Sequence, residues 1–311
     1  MRFRRTLALA CLAVSLPGAT AEAYSRTKTS TGIAVAWKNP CIEMRFFLGS
    51  PAPLMSAAQY LAAAENAAAA WSHDQLACSD IRLTVAEDPA ADALTGNDKQ
   101  HMIILRQDSW CPRGSDASTA GCYPGNALAI TTVWKNKKTG EIPDADIEIN
   151  AVKTSIGGGY LWNDVVTNPG KGIDFQNMLT HELGHVIGFA HNCYTASDVQ
   201  PSLVDNTGAP TLDCYGGTLP ASVLEATMFP SVDPQDYSRR SLSPDDQQAV
   251  CDIYPYTHEV CPVPTNPTSG CTLSPPSTES GLRAFVTLLF LGGFALLGGR
   301  KLYVRTRSPR G

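Results

Sequence analysis

Histidine is scarce in this 311-residue chain, and over most of its length so is positive charge. Residues 24 to 282 hold 15 Lys and Arg against 28 Asp and Glu, a net of −13; the whole-chain value of −5 hides this because both ends are basic. A body that acidic argues against nucleic acid as a partner, which calls for a basic face. The ten cysteines include no C-x-x-C spacing, which excludes the common cysteine-built zinc site. No internal repeat is visible, so solenoids and propellers are set aside. No apolar run reaches the roughly 20 residues of a full membrane span.

What is present is concentrated. Of six histidines, His73, His101 and His258 are scattered, and three fall in the run His181-Glu182-Leu183-Gly184-His185-Val186-Ile187-Gly188-Phe189-Ala190-His191. On a helix, residues four apart share a face, so His181 and His185 can bind one ion. Glu182 lies beside them, in reach of a water at that ion. Gly188 accepts a backbone conformation that side-chain-bearing residues avoid, so the helix can end there and return His191 to the same ion. Three protein ligands and one open position make a catalytic rather than a structural zinc. Phe175, Leu179, Leu183, Val186 and Ile187 gather opposite the histidines, giving the helix a core side and a site side. Asp174 is its expected N-cap.

These residues resemble the metzincin metalloproteases. The family's methionine turn has a counterpart in Ala226-Thr227-Met228-Phe229-Pro230. Pro230 stands two after Met228, so the tyrosine ligand of astacin- and serralysin-like enzymes is missing. Leu242 to Tyr254, with Ser243 as N-cap, Pro244 first in the helix and Asp245 and Asp246 in its first turn, looks like the last helix of the matrixins. Upstream, Ser56-Ala57-Ala58-Gln59 reads as a capping box opening an alanine-rich helix to Trp71. Strand-like runs are Ile42–Leu48, Ile81–Ala86, Met102–Arg106, Ala127–Trp134 and Asp146–Asn150. The resemblance implies an α+β zincin-like fold: a mixed, twisted five-stranded sheet, an active-site helix and a C-terminal helix. It also implies that the strand carrying Leu128, Ala129 and Ile130 is a sheet edge on which a peptide pairs main chain to main chain. The family's second, structural zinc is not expected, because no second histidine cluster exists. A long pro-segment with a latency cysteine is not expected either. Ser231-Val232 stand where matrixins have a pocket-wall tyrosine, so pocket specificity does not carry over. Asp144, Asp146 and Glu148 offer either a calcium site or a solvated strand edge.

The ends and the cysteines suggest export. Arg2, Arg4 and Arg5, the apolar Leu7–Leu16 and Ala21-Glu22-Ala23 read as a signal peptide over residues 1–23. A catalytic domain is expected over 24–256, a Pro/Thr/Ser-rich linker with Cys271 over 257–280, and a short apolar helix with an Arg-rich tail over 281–311. That last segment, with its sixteen uncharged residues Ala284–Gly299, resembles the sorting signals of myxobacterial exported proteins. It would contact the membrane and hold the protein at the envelope or surface, or be removed. Cys41, Cys78, Cys111, Cys122, Cys193, Cys214, Cys251 and Cys261 form an even set suited to an oxidising space. Pairing of sequence neighbours (41–78, 111–122, 193–214, 251–261) is the expectation. The function implied is hydrolysis of protein or peptide substrates by a monomer, through a zinc-activated water with Glu182 as general base. The alternative is a zinc-holding surface adhesion module without useful turnover.

Overall fold

The structure, a computed structural model, describes residues 24–49, 54–89, 95–112, 121–152, 162–196, 203–258 and 261. The expected signal peptide, Cys271 and the apolar C-terminal segment lie outside the described residues. Among those described, no helix is long and apolar enough to cross a membrane.

β1 (Cys41–Phe47) alternates as its sequence does: Ile42, Met44 and Phe46 are buried, Glu43 and Arg45 exposed. α1 (Ala57–Ala70) opens on a reciprocal capping box. The Gln59 amide nitrogen donates to the Ser56 hydroxyl and the Ser56 amide to the Gln59 side chain. Its buried Tyr60, Ala64, Ala67 and Ala68 recur at helical spacing. β2 (Arg82–Glu87), β3 (Met102–Arg106), β4 (Ala129–Trp134) and β5 (Asp144–Asn150) complete an α+β fold around one five-stranded sheet, order β2-β1-β3-β5-β4. All neighbours are parallel except β4, which runs antiparallel to β5 and forms an edge. β4 starts at Ala129, two residues later than its sequence suggests. Ala127 and Leu128 are instead tied by their carbonyls to Asn150 at the end of β5.

β5 has two unlike faces, as strand alternation requires. Ala145, Ile147 and Ile149 join the core, with Tyr60 of α1, its C-cap Trp71, and Phe175, Leu179 and Leu183 of the helix over Phe175–Val186. Asp144, Asp146 and Glu148 alternate with them and are buried too, so they are not a solvated edge. Among the described residues they do not form a group able to hold a metal ion. Asp144 accepts from the amides of Asp98 and Lys99 and from His101 Nδ1, at 2.6–2.7 Å. Asp146 accepts from the amides of Gly96 and Met102, and Glu148 from Arg106 and Tyr123. The run therefore fastens the segment before β3 and the loop before β4 to the sheet.

Four disulfides close the fold, consistent with an oxidising, extracellular-type environment. Cys111–Cys122 and Cys193–Cys214 pair as neighbours. The other two do not: Cys41 bonds Cys261 and Cys78 bonds Cys251. Pairing neighbours would close the shortest loops, but the fold lays the C-terminal helix and tail against the start of β1 and the α1–β2 loop. Thr257 also donates from its amide and hydroxyl to Asp80.

Candidate metal centre

The site is carried by α2 (Phe175–Val186) and the turn after it. Asp174 caps the helix, accepting from the Asn177 amide at 2.9 Å, and is itself held by Arg240 at 2.5 Å. The face predicted to be apolar is buried throughout: Phe175, Leu179, Leu183, Val186 and Ile187 are inaccessible to solvent. Burying each such side chain contributes about 1.5–3 kcal/mol, so the helix is held by its back rather than by its propensity.

The helix ends as the sequence suggests. Gly188 has φ +98°, and a Cβ there would meet the Val35 carbonyl oxygen at 2.7 Å. The Phe189 amide reaches the Gly184 carbonyl and the Gly188 amide the His185 carbonyl, both at 3.0 Å. This is the paired 6→1 and 5→2 pattern of a glycine C-terminal motif. The remaining end carbonyls are also satisfied: Val186 accepts from Trp37 Nε1 and Ile187 from the Tyr254 hydroxyl, both at 2.8 Å. The turned-back chain is braced from outside. Thr27 donates its amide to the Gly188 carbonyl and its hydroxyl to the Phe189 carbonyl.

The outcome is that His181, His185 and His191 converge, with one nitrogen from each within 4.8 Å of the others, a group able to hold a metal ion. The Nε2 atoms of His185 and His191 are 3.2 Å apart. Tetrahedral bonds of about 2.0–2.1 Å to one ion would set two such nitrogens roughly 3.3–3.4 Å apart, so this pair is spaced as two ligands of one ion would be. Two rings are oriented by acceptors. Nδ1 of His181 lies 2.8 Å from the Thr227 carbonyl, and Nδ1 of His185 lies 2.9 Å from that of Phe189. A carbonyl only accepts, so each Nδ1 carries the hydrogen and each Nε2 is left with its lone pair. Burial, then the two neighbouring imidazoles, hold His181 well below the usual histidine range. It is neutral, as a ligand must be.

Met228 lies beneath the site, fully buried against Gly184 of α2. A Cβ at Gly184 would overlap its sulfur and come within 2.9 Å of Trp71, so only glycine leaves room for the methionine. The Ala226–Phe229 turn is closed by the Phe229 amide on the Ala226 carbonyl at 3.1 Å. Beyond the short α3 (Ala221–Glu225), α4 (Pro244–Ile253) holds that turn. Asp246 in its first turn accepts from the Thr227 amide at 2.8 Å and from its own cap, Ser243. Ser243 donates its amide to the Thr227 hydroxyl. A continuous path therefore runs from Asp246 through Thr227 to the ring of His181. Asp245 is buried in the same turn, at the positive end of the helix.

A cleft of ≈ 1010 Å³ opens over the triad. Leu128 and, on the β4 edge, Ala129, Ile130 and Thr131 line one wall, and Phe229, Pro230 and Val232 another, with His181, Glu182, His185 and His191 at its base. Leu128, Ala129, Ile130 and Pro230 line this cleft together with the three histidines and Glu182, while Gly188, Met228 and Asp246 lie in the turns around the triad. Burial pushes the Glu182 carboxyl above the usual carboxylate range, partly offset by a hydrogen bond from Thr131 and by His191. Two contributors were not legible in sequence. Thr131 donates its hydroxyl to Glu182 Oε2 at 2.5 Å. Arg239, also on the cleft, donates to the Ser231 and Leu224 carbonyls and lies 5.4 Å from the Phe229 ring, holding the far wall. Only strand alternation hinted at Thr131, and nothing local marked Arg239. No protein-family model matches this chain, and no curated protein matches it in sequence.

Proposed function

We propose that this protein is a zinc-dependent endopeptidase of the metzincin, matrixin-like kind. The observation that carries the reading is the convergence of three imidazoles beside a buried carboxylate, at the base of a cleft with a free strand edge along one wall. His181, His185 and His191 would hold the metal. Zinc, when bound, would supply Lewis acidity to the scissile carbonyl and to water.

The rest is the work of this chain's own side chains. Glu182 is not one of the three ligands. Its carboxyl, with an affinity for protons raised by burial, suits it to take the attacking water's proton and deliver it to the leaving amine. An extended peptide would add to the outer edge of β4 through the backbone of Leu128, Ala129 and Ile130, which places its carbonyl over the triad and shields the base from bulk water. Such pairing reads main chain more than side chain, so protein and peptide substrates fit better than small molecules. The acidic body speaks against nucleic acid. The disulfides suit a protein that works outside the cell.

Glu182→Ala is the test. It should keep one zinc per chain and lose cleavage of a general protein substrate by about 10²–10⁴-fold. Wild-type cleavage by the mutant would remove Glu182 from the role of base.

A further inference from the structure

The hydroxyl of Thr131 has a singular position. Thr131 lies on β4, immediately after the residues proposed to pair with substrate, and its register partner on β5 is Ile147. Its Oγ1 is 2.5 Å from Glu182 Oε2 and 3.4 Å from the Glu182 carbonyl oxygen. A carboxylate and a carbonyl can only accept, so the hydroxyl hydrogen goes to Glu182, and the shorter approach selects the side chain. A hydrogen bond to an ionised group is stronger than a neutral pair, and more so away from water. Glu182 is 8% exposed, so its carboxylate is largely withdrawn from bulk water. A threonine on a strand is also stiff at χ1, so the hydroxyl is held in place by its own branching.

We propose that Thr131 is a positioning residue for the general base. It engages Oε2 and so leaves Oε1 as the oxygen that takes the water's proton. The same contact fixes the Glu182 rotamer relative to β4, and thus relative to a peptide paired on that edge. The bond persists through proton transfer: Oε1 receives the hydrogen while Oε2 goes on accepting from Thr131. No atom of Thr131 is consumed. This inference rests on the peptidase reading for its kinetic part, but the geometry is testable without turnover.

The experiment compares the zinc-loaded full protein with Thr131→Val and Thr131→Ser. Valine keeps the branched shape and removes the donor; serine keeps the donor. Zinc content and the thermal unfolding midpoint are measured first, to show that each variant is folded and loaded. Two readouts follow. One is kcat and KM on a peptide substrate. The other is affinity for acetohydroxamate, a small chelator whose acidic proton is offered to the neighbouring carboxylate; it reports on the base without any reaction. Thr131→Val should lower kcat by about tenfold, with KM within about twofold, and weaken acetohydroxamate by about tenfold, the loss of one charged hydrogen bond. Thr131→Ser should stay within about twofold of wild type in both. Wild-type kcat and acetohydroxamate affinity in Thr131→Val would overturn the proposal. So would an equal loss in the serine variant, because it would show that shape and not the donor matters. If wild type cleaves nothing, the peptidase reading fails, while the acetohydroxamate comparison still decides whether Thr131 sets Glu182.

Discussion

Replacing Gly188 by alanine isolates the turn that delivers the third ligand. The substitution meets two obstacles. The backbone sits at φ +98°, where an L-residue costs about 1–2 kcal/mol relative to glycine. The new Cβ would also lie 2.7 Å from the Val35 carbonyl oxygen, against more than 3.4 Å for an ordinary contact. That carbonyl cannot retreat freely, because it accepts from Arg26 Nη2 at 2.7 Å, and the Val35 amide is bound to the Thr27 carbonyl at 3.0 Å. Overpacking of this kind costs about 1–3 kcal/mol. The sum, about 2–5 kcal/mol, corresponds to a fall of roughly 5–15 °C in unfolding midpoint for a domain of this size. His191 lies three residues further on, so metal affinity should also fall, by about 10–100-fold, as when the groups that orient ligands are disturbed. Calorimetry on metal-free protein gives the first quantity, and competition with a zinc chelator gives the second. An alanine variant with wild-type midpoint and wild-type zinc affinity would refute the claim that the chain must turn at Gly188 to complete the triad.

Two further outcomes concern the scaffold. Burial pushes Asp146 up to about 7 from an ordinary 3.8, so its share of stability is fully present below pH 3.8 and is lost as pH rises through 7. Asp146→Asn should remove that slope, so that wild type loses up to about 4 kcal/mol relative to the variant between those pH values; parallel stability curves would contradict it. The Cys41–Cys261 bond encloses Cys78–Cys251, which already shortens the loop it closes. Changing Cys41 and Cys261 together to serine should cost about 4 kcal/mol or less in chemical denaturation, and peptide mapping of the intact protein should find these two linked rather than Cys41 with Cys78.

What could be read from the sequence was what is local. The capping box at Ser56 and Gln59, the caps Asp174 and Ser243, and the burial period of α2 each involve residues within a few positions, where helix geometry alone fixes the neighbours. The triad was legible for the same reason, since Gly188 needs only its own backbone to turn. The two long disulfides were not, because they depend on where α4 comes to rest against the α1–β2 loop. The acids of β5 misled because alternation says which face they share but not that the segment before β3 would fold over that face and satisfy them. Thr131 and Arg239 became visible only when β4 and the Phe229–Pro230 wall were placed around the triad.

Catalysis should require a metal held by the three histidines. Elemental analysis and cleavage of a protein substrate should be followed on one sample through chelation and reloading. One zinc per chain, cleavage that disappears as the zinc is withdrawn, and recovery on adding one equivalent are the predicted results. Undiminished cleavage by protein stripped of metal would contradict the central claim.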